Sequence, residues 1–123
     1  MKIAVDFDGT CVTHDYPDIG ENIGAQEVLK DLVKEGHDLI LYTMRSASGL
    51  QEALDWFMEN RIALYGVQYD PEQAKWTSSN KCYANLFIDD AGLGIPLIYP
   101  PNGKRPYVDW VKVRELLVEM KYL

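Results

Sequence analysis

The chain has 123 residues and a mass of 14.0 kDa, 47% hydrophobic and 25% charged, which suits one domain with a single buried core. Its formal charge of −7 argues against nucleic acid held by a general electrostatic footprint, and no run approaches the roughly 20 apolar residues that span a bilayer. Carboxylates from Asp6 onward come too early for a secretory signal, and Cys11 and Cys82 form no disulfide framework, so a reduced cytoplasm is the expected setting.

Ile3-Ala4-Val5 is a continuous apolar run, the pattern of a strand buried on both faces of a parallel sheet. It leads into Asp6-Phe7-Asp8-Gly9-Thr10, where Gly9 supplies backbone freedom for a tight reversal. Residues 11–22 read as a loop with His14, Tyr16 and Asp18. Ala25, Val28, Leu29, Leu32 and Val33 follow helical spacing, and Gly36 suits the stop of that helix. Leu39-Ile40-Leu41-Tyr42 is a second buried strand, ending at Thr43. Leu50, Ala53, Leu54, Phe57 and Met58 mark a second helix, and Val67 to Tyr69 a weaker strand. Residues 68–80 form a polar loop carrying Tyr69, Lys75 and Trp76, and Lys81 follows it. The strand Leu86-Phe87-Ile88 ends in Asp89-Asp90. Leu97-Ile98-Tyr99 reads as a further buried strand, and Val113, Leu116, Leu117 and Met120 as a last helix that Asp109 can cap.

This alternation predicts an α/β fold over residues 1–123: an open, doubly wound parallel sheet in three layers, α/β/α, with right-handed crossovers. Ligands of such sheets sit beyond the carboxyl ends of the strands, where Asp6, Asp8, Thr43, Asp89 and Asp90 fall. Carboxylates gathered there resist ionising together. A hard divalent cation resolves this, and Mg²⁺ favours a few carboxylates, waters and phosphate oxygens. One Asp alone reads more simply as a turn or cap, but DxDGT ending one strand and an Asp pair ending another outweigh that. Arg45 lies at the same edge, either as a planar fork for a second acidic substrate group or as a surface charge at a helix start. Trp76 either stacks on a sugar or base or packs. Cys11 and Cys82 each follow one of these polar groups, which places them near each other, either as small buried hydrophobes or as a redox switch.

In their order, Asp6-Phe7-Asp8-Gly9-Thr10, Leu41-Tyr42-Thr43, Lys81 and Phe87-Ile88-Asp89-Asp90 resemble the four motifs of the haloacid dehalogenase superfamily. The resemblance runs from residue 3 to about residue 100, and Tyr16-Pro17-Asp18-Ile19-Gly20 is similar to a stretch in small bacterial or phage-borne members. It implies a Rossmann-like core and a Mg²⁺-dependent phosphatase. Asp6 would be the nucleophile that forms an aspartyl-phosphate, and Asp8 the general acid and base. Thr43 and Lys81 would bind phosphoryl oxygens, with Gly9 and Arg45 completing the substrate-binding set. Mg²⁺ would be held by Asp6, the Asp8 carbonyl, Asp89 and Asp90, with Asp90 direct and Asp89 acting through water or bonded to Lys81.

Residues 11–42 and 44–80 leave no room for a cap domain, so the resemblance points to capless members. Their open sites take bulky phosphorylated substrates or are covered by a neighbouring subunit in a homo-oligomer. Residues 11–22 and 68–80 are the segments placed to shape the entrance. A receiver-like phospho-accepting signalling module shares most of these residue types, but its acidic pair lies on the first strand and its lysine comes last. A non-catalytic binding member is the third reading, and the intact polar set counts against it.

Overall fold

The apolar runs nearest the amino terminus have almost no polar groups to offer water, so they bury both faces by pairing with one another. In the computed structural model, which describes residues 1–123, β1 (Lys2–Val5), β2 (Asp38–Leu41), β3 (Gly66–Val67) and β4 (Leu86–Ile88) form a parallel sheet ordered β3-β2-β1-β4. Register is explicit: Val5 lies opposite Leu41 on one side and Ile88 on the other. The order reverses at β1, so a crevice opens between the carboxyl ends of β1 and β4.

Alternation sends Ile3, Val5, Leu39, Leu41 and Ile88 into one buried cluster. That cluster also takes the apolar faces of α1 (Ala25–Lys34), α2 (Ala47–Glu59) and α3 (Trp110–Glu119). The chain is thus an α/β protein with a four-stranded parallel sheet and three helices, compatible with a Rossmann-like core. The opposite face is different: Ala4 and Ile40 form a small separate cluster with Cys82. No α-helix covers it. The crossover from β3 to β4 does, with only a 3₁₀ turn at Gln73–Lys75, so the expected helical layer on each face is corrected to one. Pro71 and the Thr77-Ser78-Ser79-Asn80 run cannot sustain a helix. The buried Gln73 side chain organises the segment instead, accepting from the N–H groups of Asp70 at 3.0 Å and Tyr83 at 2.9 Å and donating to the Lys81 carbonyl at 2.9 Å.

Other expectations need adjustment. Leu97-Ile98-Tyr99 does not join the parallel sheet: β5 (Leu97–Ile98) pairs antiparallel with β6 (Tyr107–Val108) as a separate ribbon. Pro96, Pro100 and Pro101 crowd it and keep the pairing short. On α2 the buried positions are Ala53, Trp56 and Phe57, while Met58 is exposed; on α3 Leu116 and Met120 face solvent. Cys11 and Cys82 are both buried but belong to separate clusters, so they are not neighbours. No helix is long and apolar enough to cross a membrane.

Both predicted helix signals are present. The Asp109 carboxylate accepts from the Lys112 N–H at 3.2 Å at the start of α3. Gly36 takes φ +93° just past α1, with its N–H on the Val33 carbonyl at 3.0 Å. An added Cβ there meets no atom within 4 Å, so Gly36→Ala incurs backbone strain alone. A loss of about 1–2 kcal/mol in urea denaturation is expected, and an unchanged midpoint would contradict this account of the helix stop.

Candidate functional site

Phe7 anchors the site. Its fully buried ring meets Trp56 edge-on at 5.6 Å and Phe57 at 6.3 Å, so its neighbours Asp6 and Asp8 must point the other way, out of the core. The Asp6 N–H donates to the Ile88 carbonyl at 3.0 Å, carrying the β1–β4 register one residue past the strand. Asp6 is thereby set beside Asp89 and Asp90, and one oxygen from each of the three carboxylates lies within 4.8 Å of the others. They share a cleft of about 530 Å³ with Asp8, His14, Tyr16, Thr43, Met44, Arg45, Ala91 and Arg105.

Thr10 ties the two acidic segments together. Its buried hydroxyl is 2.9 Å from Asp6 Oδ2 and 3.3 Å from Asp90 Oδ1, and it accepts the Asp90 N–H at 3.0 Å. A single hydroxyl proton serves one carboxylate at a time, and the shorter contact gives it to Asp6. The indole of Trp110, at the start of α3, donates to the Thr10 carbonyl at 2.6 Å. His14 Nε2 lies 2.8 Å from Asp90 Oδ2. Gly9, at φ +79°, allows this approach: a Cβ there would overlap the His14 ring and come within 2.7 Å of Asp90 Oδ2. Gly9 therefore makes room for His14 and Asp90 and does not itself line the cleft, which corrects its expected substrate role.

Thr43 is placed as expected, in the cleft. Its hydroxyl oxygen accepts the Arg45 N–H at 3.1 Å, leaving its own proton free to donate. The Gln68 side chain brackets it, accepting from the Thr43 N–H at 3.0 Å and donating to the Thr43 carbonyl at 2.7 Å. Gln68 adopts φ +71° to do so, a left-handed conformation that a non-glycine residue keeps only when its surroundings fix it.

Arg45 departs from its expected role. Its side chain is almost fully buried and meets both Asp8 oxygens through Nε and Nη2 at 2.8 Å each. Its remaining N–H groups reach the carbonyls of Asp18 at 2.7 Å, Gly49 at 3.3 Å and Pro17 at 3.4 Å. Every donor of the guanidinium is occupied, so Arg45 locks Asp8 and residues 17–18 and does not bind substrate. The Asp8 side chain is taken up by Arg45, while its carbonyl, the expected metal ligand, accepts no backbone hydrogen bond.

Lys81 is not in the cleft. It is exposed and lines a different depression with Trp76, Tyr83 and Phe87. Without a helix between β3 and β4, nothing carries residue 81 to the carboxyl edge, and Asn85 already lies at the opposite end, its N–H on the Lys2 carbonyl at 2.8 Å. The expected Asp89–Lys81 contact is also absent: Asp89 Oδ1 accepts the Ala91 N–H at 2.8 Å, and Oδ2 has no protein partner. Asp90 is met by His14 and by Thr10, and it stands with Asp89 in the acidic group. Trp76 packs edge-on against Tyr83 at 5.3 Å, away from the acids. The 68–80 segment reaches the site only through Gln68. Residues 11–22 do shape the entrance, through His14 and Tyr16.

Burial, contact with Asp90 and the charge of Asp89 push the Asp6 carboxyl up to about 8. Three crowded carboxylates with so little compensation fit a hard divalent cation by their donor chemistry. Since folding raises its proton affinity, Asp6 contributes stability that is full below its unfolded value near 3.8 and lost as pH rises through about 8. In chelator, Asp6→Asn should therefore raise the melting temperature at pH 8.5 by on the order of 5 °C and leave it nearly unchanged at pH 4. Equal shifts at both values would contradict the crowding. For the Asp8 lock, Arg45→Met should cost about 3 kcal/mol in chemical denaturation, and adding Asp8→Leu should recover part of it. A double variant less stable than the single one would refute the ion pair as the source of the loss.

No family model and no curated protein matches the chain. Among solved structures, a conserved protein from Bacteroides thetaiotaomicron is 40% identical, with a TM-score of 0.78, over 98% of this chain and 91% of its own. At that identity and coverage, the chain belongs to the same family as this conserved Bacteroides thetaiotaomicron protein.

Proposed function

We propose that the protein is a Mg²⁺-dependent phosphatase of the haloacid dehalogenase type, hydrolysing a phosphate monoester through an aspartyl-phosphate on Asp6. The observation that carries this reading is the convergence of Asp6, Asp89 and Asp90 oxygens within 4.8 Å, in a cleft shared with Asp8 and Thr43. Asp6, Asp89 and Asp90 would hold the cation, together with the Asp8 carbonyl. When bound, Mg²⁺ supplies charge neutralisation and polarises a phosphoryl oxygen.

The protein's own residues account for the rest. An Asp6 oxygen attacks phosphorus, the ester P–O bond breaks, and the leaving oxygen takes a proton from Asp8. Water then attacks phosphorus, returns its proton to Asp8 and releases orthophosphate, restoring the Asp6 carboxylate. Thr10 orients Asp6 through its 2.9 Å hydrogen bond, and the free Thr43 hydroxyl proton is available to a phosphoryl oxygen. The guanidinium that holds Asp8 also meets the Pro17 and Asp18 carbonyls, so it fixes that segment and the residue assigned the acid step together. The wide cleft without a cap domain suits a substrate that projects beyond the surface.

Purified protein should hydrolyse an aryl phosphate only with Mg²⁺ present. Asp6→Asn should abolish turnover, and Asp8→Asn should slow release of the phosphoenzyme by about 100-fold in quench-flow. Absence of Mg²⁺-dependent turnover across a broad ester panel would overturn the reading. A stoichiometric, long-lived phosphoprotein would favour the receiver-like module.

A further inference from the structure

We infer that Arg105, on the loop joining β5 to β6, is the cation that holds the phosphoryl oxygens of an anionic ester here, a role for which Lys81 is misplaced; this rests on the phosphate-ester reading above. The acidic cleft has three basic side chains on its wall: Arg45, His14 and Arg105. Arg45 has all its donors on Asp8 and backbone carbonyls. His14 presents Nε2 to Asp90. Arg105 forms no ion pair and is exposed, so its fork is free to meet two oxygens of one anion.

Its loop is tied to the acidic motif by the Val108 N–H, which donates to the Gly9 carbonyl at 3.0 Å. Arg105 and His14 also line an adjoining cleft of about 510 Å³, with Lys104, Tyr107, Thr13, Asp15 and Glu21 among its walls. The two clefts therefore meet at Arg105. An ester lying across that junction would keep its phosphoryl end beside Asp6 and its alcohol portion in the neighbouring groove. The groove's mix of ammonium, carboxylates and hydroxyls is suited to a polar alcohol rather than an apolar one.

Calorimetric titration of orthophosphate into the Mg²⁺-saturated full chain tests this without turnover. Arg105→Ala should weaken phosphate binding about tenfold or more, Arg105→Lys should recover part of the loss, and Lys81→Ala should change it less than about twofold. KM for an aryl phosphate should rise in parallel in Arg105→Ala. Melting curves of the Arg105 variants should match the parent, since the side chain is exposed and unpaired. Unchanged phosphate affinity in Arg105→Ala, a loss in Lys81→Ala instead, or no phosphate binding by the parent would each overturn the inference. Phosphate binding that depends on Arg105 without any ester turnover would sink the phosphatase reading alone. Turnover with phosphate affinity indifferent to Arg105 would sink this inference alone.

Discussion

The arrangement of this molecule depends on the in-register pairing of β1 with β4. With Val5 opposite Ile88, the residues that follow each strand have no choice but to emerge side by side, and both are aspartates. The pairing thus forces like charges into contact where the sheet can no longer separate them. Much of the surrounding structure offsets that repulsion. Thr10 gives its hydroxyl proton to Asp6 and accepts the Asp90 N–H, His14 approaches Asp90, and Gly9 leaves the space that His14 needs. A protein with no use for the strain would replace one aspartate with asparagine and become more stable without a ligand. Crowding of this kind is what the proposed cation would relieve.

Much of this was legible in the residues, for identifiable reasons. Continuous apolar runs announced β1, β2 and β4, though the same signal misassigned Leu97-Ile98-Tyr99, and helical spacing located all three helices, because period and length are local properties. The carboxylates at the strand ends followed from topology alone. Contacts decided by tertiary packing were not legible. Arg45 looked available because a sequence does not show that its donors will meet Asp8 and the carbonyls of the 17–18 segment. Lys81 satisfied a motif order but not a position, since its placement depended on a helix that residues 68–85 do not form. His14 was legible only as part of the 11–22 loop, and Gln68 and Arg105 had no signal of their own: one glutamine and one arginine in loops are ordinary until the fold brings those loops to the site. Gln68 could have been suspected from its place just after a short strand at the same edge as Thr43.

The sheet is strongly asymmetric. One face carries the helices and nearly all the large buried side chains, while the other is covered by irregular chain pinned at a few polar points such as Lys2 to Asp70 at 2.8 Å. Exposed Phe87 and Tyr42, 6.2 Å apart on that side, show how thin the cover is. The acidic edge is consequently supported from below by a helical layer and flanked by a layer with less apolar burial. Local opening of the second face is the less costly motion of the two.

The hydrogen bond from the Trp110 indole to the Thr10 carbonyl joins residues separated by 100 positions. A nascent chain emerging amino end first would display its reactive acids well before the helix that steadies them has been made. Until that last segment docks, the loop bearing Thr10 lacks the indole that holds its carbonyl. Completion of the acidic edge thus draws on a contact that closes a loop of 100 residues, and a polypeptide cut before α3 would carry every motif residue without the indole that braces Thr10.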